Sequence, residues 1–306
     1  MDFGKMDRIE GVNFSLPPDH ARTDEFFAGR KWDLSAPLQL RVGLTNWGRK
    51  DWVGRLYPKG TKDKDFLAFY TKQYACIELN ALFYHLQPRP VIEKWASLAD
   101  DGFRYCPKFT NTISHTRQLA GSDQDTALFI EHMKSFGNKL GPAFLQLSDR
   151  YAPDRAGLLQ EYVSKLPRDF KTCIELRQED WYREGVAAKA TWQTFRERGI
   201  GTVITDTAGR RDCLHMILTA PFAFIRFVGN NLHPTDYTRV DEWAERIKTW
   251  IDKGLREIYF FIHTPDEMHS PELSKYVVDQ FNKVCGAGLK PPKILQDEPP
   301  AALTLF

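Results

Sequence analysis

The chain has 306 residues, 42% of them hydrophobic and 27% charged, a make-up that excludes a disordered or fibrous protein and leaves one large domain or two ordinary ones. A formal net charge of +2 gives no global field for nucleic acid or an anionic membrane. No run approaches the ~18 apolar residues of a membrane span, and the opening "MDFGKMDRIEGVNF" lacks the apolar core of a secretory signal, so a cytoplasmic location is expected.

Residues 1–38 show no steady period and read as an N-terminal extension packed on the main domain. From residue 39 the text alternates. "LQLRVGLTNW" reads as a first strand and "KDFLAFYTKQY" as a helix; "CIELN" is a second strand and "PVIEKWASLA" a helix; "FRYCPKF" is a third strand. The next helix, "DTALFIEHMKSF", is predicted to start in a capping box at Ser122–Asp125 and to pack through Leu128, Phe129, His132, Met133 and Phe136. "AFLQL", "TCIELR", "GTVITD", "FAFIRFV" and "EIYFFIH" continue the strands, with helices predicted in "GLLQEYVSKL", "AKATWQTFRERG", "RRDCLHMIL", "DEWAERIKTWIDKG" and "PELSKYVVDQFNKVCG". The last of these is expected to begin with Ser270 as cap and Pro271 at the first position.

Eight strands alternating with about eight helices, each connection long enough for a parallel crossover, predict a (β/α)8 TIM barrel over 39–290, followed by a Pro-rich surface tail, 291–306. A doubly wound open sheet is the alternative, since counting strands does not prove closure. No dinucleotide fingerprint or phosphate-binding glycine loop is present. The five cysteines (Cys76, Cys106, Cys173, Cys213, Cys285) form no CxxC pair and read as reduced, mostly buried thiols.

Every apolar strand ends in polar residues: Asn46, Glu78 with Asn80, Lys108, Gln146, Glu175 with Arg177, Asp206, Arg226 and His263. In a barrel these ends gather at one rim, where active sites of the fold lie. A single buried Glu–Arg pair is as readily a structural tie. Burying about ten polar groups together is costly unless something uses them, so the set is read as a site.

The blocks "VGLTNWGRKDWVGRLYPKG", "IELNALFYHL", "FRYCPKFTNTISHTR", "LGPAFLQL", "CIELRQEDW" and "AFIRFVGN" occur in this order from Val42 onward, and the chain thereby resembles the family called domain of unknown function 72. The resemblance implies a (β/α)8 barrel and no particular reaction. Carried over by motif, it marks Trp47, Trp52, Tyr57, Glu78, Asn80, Phe83, Tyr84, Lys108, His115, Gln146, Glu175, Arg177, Trp181 and Arg226. Two histidines of the family pattern are replaced here, by Gln178 and Val228, while the eighth strand ends in His263.

The chemistry expected first is metal-independent acid–base catalysis on a small phosphorylated or carboxylated substrate, by a hydrolase, lyase or isomerase. Glu78, Glu175, Lys108 and Asp206 are the candidate catalytic groups. Asn46, Trp47, Asn80, Tyr84, His115, Gln146, Arg177, Trp181, Arg226 and His263 are the candidate substrate-binding ones, with Lys108, Arg177 and Arg226 holding the anion. No cofactor is expected. One alternative is a divalent-metal hydrolase or isomerase, nuclease-like in its chemistry, with Glu175, Asp206, His263 and Glu78 as ligands. Another is a non-catalytic ligand-binding barrel. A nucleic-acid partner is not favoured, since Trp52 and Tyr57 in the basic loop after the first strand are expected to pin that loop to the rim.

Overall fold

Period-two alternation builds the centre of this molecule. The computed structural model describes residues 4–183 and 185–295. Eight parallel strands run β1 Gln39–Leu44, β2 Cys76–Leu79, β3 Arg104–Pro107, β4 Ala143–Gln146, β5 Thr172–Glu175, β6 Gly201–Asp206, β7 Phe222–Val228 and β8 Glu257–His263. Their order is β3-β2-β1-β8-β7-β6-β5-β4. The seam between β3 and β4 is closed by two single bridges, Tyr105 with Leu140 and Lys108 with Phe144, so the strands form a nearly closed barrel and not an open sheet.

Inside the barrel, Cys76, Cys106, Phe144, Cys173, Val203, Phe224 and Phe261 belong to one buried apolar layer. Two residues further along the same strands stand Glu78, Lys108, Gln146, Glu175, Thr205, Arg226 and His263, all buried. Because side chains two apart on a strand share a face, the apolar layer carries a polar layer directly above it, toward the C-terminal mouth. The thiols are free, and Cys76, Cys106 and Cys173 are structural members of the lower layer.

Among the described residues the helices are α1 Ala21–Ala28, α2 Phe66–Gln73, α3 Arg89–Ser97, α4 Asp123–Met133, α5 Ala156–Lys165, α6 Val186–Arg198, α7 Pro234–Asp252 and α8 Ser270–Cys285. The helix predicted after β6 does not form. Only a short 3-10 turn, Ala208–Cys213, is present there, and Leu214–Leu218 runs non-helically. Thr202 donates to the Ile217 carbonyl, the His215 ring accepts from the Ile217 N–H, and Thr23 bonds both the Met216 carbonyl (2.6 Å) and the Leu218 N–H (2.8 Å), so side chains take the backbone groups a helix would use. Thr23 belongs to α1 of the N-terminal extension. That helix also meets α6, where Arg196 donates to the Glu25 carbonyl, and the end of α7, where Lys253 pairs with Asp24. The extension therefore fills the place left by the missing outer helix.

Smaller expectations change as well. Ser122 precedes α4, but its hydroxyl bonds the Leu119 carbonyl and caps nothing, and Leu128 is 48% exposed. Ser270 lies inside α8 with its hydroxyl 2.7 Å from Thr264 Oγ1, and His269 holds the cap position. Of the Pro-rich tail, residues 291–295 return to the barrel, where the Leu295 N–H bonds the Arg55 carbonyl at 2.6 Å. Residues 296–306 lie outside the described residues. No described helix is long and apolar enough to cross a membrane.

Gly43 marks the tightest approach in the barrel wall, where a Cβ would stand 2.2 Å from the Cys76 carbonyl oxygen. Gly43→Ala should cost about 1–3 kcal/mol of stability, read as a lowered midpoint in urea. An unchanged midpoint would contradict this packing.

Candidate active site

Arg226 stands at the centre of the polar layer, fully buried. Its Nε and Nη2 donate to the two oxygens of Glu78 at 2.8 and 2.9 Å, and its Nη1 donates to Glu175 at 2.8 Å. One guanidinium thus joins carboxylates of β2 and β5 across the barrel. Asn80 Nδ2 donates to Glu78 at 2.9 Å, while Arg177 Nε and Thr205 Oγ1 donate to Glu175 at 2.8 and 3.0 Å. Burial pushes both carboxyls up, but the neighbouring cations outweigh it. Arg226 and then His263 hold Glu78 well below the usual carboxylate range, and Arg177 and then Arg226 bring Glu175 to about 2. Both are ionised at neutral pH, with their lone pairs largely occupied.

Lys108 lies beside this cluster. Its Nζ donates to Gln146 Oε1 at 3.0 Å and sits 4.1 Å from the centre of the Phe83 ring. Burial, then the charge of Arg226, lowers it to about 8, against the opposing pull of Glu175 and Glu78. His115, half-buried, packs edge-on to Phe83 at 5.1 Å and is lowered by burial and then by Lys108.

His263 completes the layer. Its Nε2 is 3.2 Å from Glu78 Oε2 and 3.3 Å from Arg226 Nη2. Arg226 Nη2 can only donate and is already committed to Glu78 Oε1 at 2.9 Å, whereas Glu78 Oε2 can only accept, so we assign the proton to Nε2, donating to Glu78, and the lone pair to Nδ1. Burial keeps this imidazole neutral, with Glu78 opposing and Arg226 assisting. A cavity of about 660 Å3 opens over the β6, β7 and β8 side of the mouth, lined by His263, Val228, Thr207, Asn230, Arg49 and the segment Gly4–Glu10. Since Nε2 faces Glu78, Nδ1 is the nitrogen available to that cavity.

The structure therefore brings together Glu78, Asn80, Lys108, Gln146, Glu175, Arg177, Arg226 and His263, with His115 alongside. Five other candidates lie elsewhere. Asp206 points outward, because Thr205 holds the inward register of β6. Its carboxylate takes Trp243 Nε1 (2.8 Å), Arg239 (2.8 Å) and Arg211, which together hold it below its ordinary range despite burial. Trp181 is fully buried and donates to the Tyr151 carbonyl, so it forms wall and not surface. Asn46 ties the loop after β1 to Glu267 (3.2 Å). Trp47 packs on Trp95, and Tyr84, 82% exposed, stands at the outer rim. Trp52 and Tyr57 are buried under their loop. Among the described residues no three or more His, Cys, Asp or Glu side chains converge as metal ligands would, Asp206 facing away from the other three considered. Thr205 was missed by reading strand ends; counting two residues back to Val203 finds it.

A (β/α)8 barrel with a carboxylate–arginine cluster at its C-terminal mouth is the class these features define. The match to the family described as Protein of unknown function DUF72 runs over residues 41–295, and the chain belongs to that family. It is similar to the UPF0759 protein YecE of Escherichia coli K12, 28% identical over 262 residues that cover 80% of this chain and 93% of that one. It is 24% identical to the UPF0759 protein YunF of Bacillus subtilis 168, over 47% of this chain and 52% of that one. Among solved structures, the DUF72 family protein EF0366 of Enterococcus faecalis V583 matches with TM-score 0.63 at 18% identity, covering 85% of this chain and 99% of that one. TM1631 of Thermotoga maritima MSB8 gives TM-score 0.63 at 20% identity, over 81% and 99%. At such identities the structural likeness shows the fold.

Two outcomes follow from these contacts. Asp206→Ala takes from buried Arg239 its closer carboxylate, leaving Asp236 at 3.6 Å, frees Trp243 Nε1 as well, and should cost about 3 kcal/mol in urea unfolding; a stability equal to wild type would mean that Asp206 does not hold the outer wall together. Glu175 is held at about 2 in place of the ordinary 4.5, so its charge stabilises the fold above the ordinary value, and that contribution is lost as pH falls from 4.5 towards 2. The acid limb of stability between those values should flatten in Glu175→Gln, a variant less stable than wild type at pH 7. An identical acid limb would contradict the ion pairs.

Proposed function

We propose that this protein is an enzyme working by acid–base chemistry on a small phosphorylated or carboxylated molecule bound at the C-terminal mouth. The observation that carries this reading is the Glu78–His263 pair, a buried carboxylate held against Nε2 of an imidazole that lines a cavity of about 660 Å3. Glu78 acts through the imidazole and not on the substrate, because Arg226 and Asn80 already occupy its oxygens. His263 is the base that takes a proton at Nδ1.

The charge of the mouth supports an anionic substrate. In the polar layer next to the cavity, two buried carboxylates stand against three cations, Arg226, Arg177 and Lys108, which leaves one net positive charge, while the cavity lining itself balances Lys5, Arg8 and Arg49 against Asp7, Glu10 and Glu267. At neutral pH Lys108, with a value of about 8, is still mostly protonated and able to bind an anion or return a proton.

A panel of phosphorylated and carboxylated metabolites screened by thermal shift, followed by calorimetry, tests the reading. At least one compound should bind, with affinity reduced about ten-fold or more in Lys108→Ala, the loss of a charge-assisted hydrogen bond. His263→Asn should keep the binding and lose turnover. On the acid side the wild-type rate should fall only below the ordinary histidine value of 6.5, because burial lowers the imidazole and the base is the neutral form, and on the alkaline side it should fall as Lys108 loses its proton at about 8. A panel without binders, or binding indifferent to Lys108, would overturn the proposal.

A further inference from the structure

The segment Gly4–Glu10 lies outside the stretch that matches the family, residues 41–295, yet it lines the His263 cavity. It is fastened at two points. At the near end the Gly4 carbonyl accepts from the Gly209 N–H at 2.9 Å and from Thr207 Oγ1 at 3.1 Å. Beyond it, Arg211 donates to the Phe14 and Ser15 carbonyls, and the Leu16 N–H donates to Glu242 at 2.8 Å. Between these points Lys5, Met6, Asp7, Arg8 and Glu10 are exposed. A stretch with firm ends and little buried surface opens at low free energy compared with the barrel beneath it.

The near fastening has a demanding shape. Gly4 has φ +73°, and a Cβ there would stand 2.4 Å from the Thr207 side chain, which is 1% exposed and has nowhere to move. Only glycine fits. Thr207 follows β6 directly and itself lines the cavity, so the fastening sits on the rim of the pocket it covers.

We propose that Gly4–Glu10 is a strap closing the His263 pocket, latched through Gly4 onto Thr207 and Gly209, and that ligands enter when this latch releases. The strap brings Lys5, Asp7, Arg8 and Glu10 into the lining, two charges of each sign, so a ligand that touches the strap from inside the pocket favours the latched state over the open one through those contacts and not through net charge. This inference rests on the pocket being the working site, but its test does not.

Diethyl pyrocarbonate acylates neutral imidazoles, and peptide mass spectrometry follows each histidine separately. In wild type, His263 should react far more slowly than the exposed His85, and the buried His215 should stay unreacted as a monitor of folding. Gly4→Val and Thr207→Ala should each speed His263 about ten-fold, the factor matching about one lost hydrogen bond, with His85 and His215 unchanged. Equal His263 rates in wild type and Thr207→Ala, with His215 protected, would overturn the strap, as would wild-type His263 reacting as fast as His85. Should Gly4→Val expose His215, that variant has unfolded and Thr207→Ala decides. Faster labelling without any binder in the metabolite panel would leave the strap and remove the acid–base reading; a binder with unchanged labelling would do the reverse.

Discussion

Arg226 is the constraint on which the site depends. It is a fully buried cation whose guanidinium donates to carboxylates from two strands. Among the described residues Glu78 pairs with no other permanent cation, Glu175 has Arg177 as well as Arg226, and the buried guanidinium is not stable without these two carboxylates. The cluster need not add net stability to the barrel. What it fixes is geometry: the planar fork of the guanidinium sets where each carboxylate stands, and Glu78 in turn sets where the His263 ring stands. Removing the arginine would leave Glu175 to Arg177 and Thr205, and would leave Glu78, the guide of the imidazole, a buried anion without its own support.

The tube itself explains why the cluster forms where it does. A layer of cysteine, valine and phenylalanine side chains fills the lower barrel, leaving the next inward positions no apolar space and bringing them up to the mouth. Polar residues there meet one another before they meet solvent. The same geometry separates roles among similar residues. Glu175 is saturated by Arg226, Arg177 and Thr205, whereas His263 has one nitrogen committed and the other beside open volume. Chemistry follows the uncommitted atom.

The N-terminal extension does two jobs with one stretch of chain. Its helix replaces the outer helix that the β6–β7 connection does not supply, and the residues before that helix cross the mouth. Both contacts lie around β6: Thr23 engages Met216 and Leu218 on the outside, and Gly4 engages Thr207 and Gly209 at the rim. The barrel wall and the access to its pocket are therefore tied to the same strand.

The sequence alone determined eight parallel strands alternating with helices, because apolar runs joined by long crossovers admit only a barrel or an open sheet; closure of the barrel was decided by the bridges between β3 and β4. The sequence also determined the polar rim, because Glu78, Lys108, Glu175, Arg226 and His263 all fall near strand ends. Which face each residue uses was also written there, in its spacing from the apolar layer, and that spacing separates inward Thr205 from outward Asp206. Only the tertiary structure decided which charges meet, since Arg226 touches partners 148 and 51 residues away and no local pattern encodes a contact across a barrel. The fate of "RRDCLHMIL" was decided there too: its helical spacing was overruled by hydrogen bonds from Thr202 and Thr23, side chains brought alongside by folding.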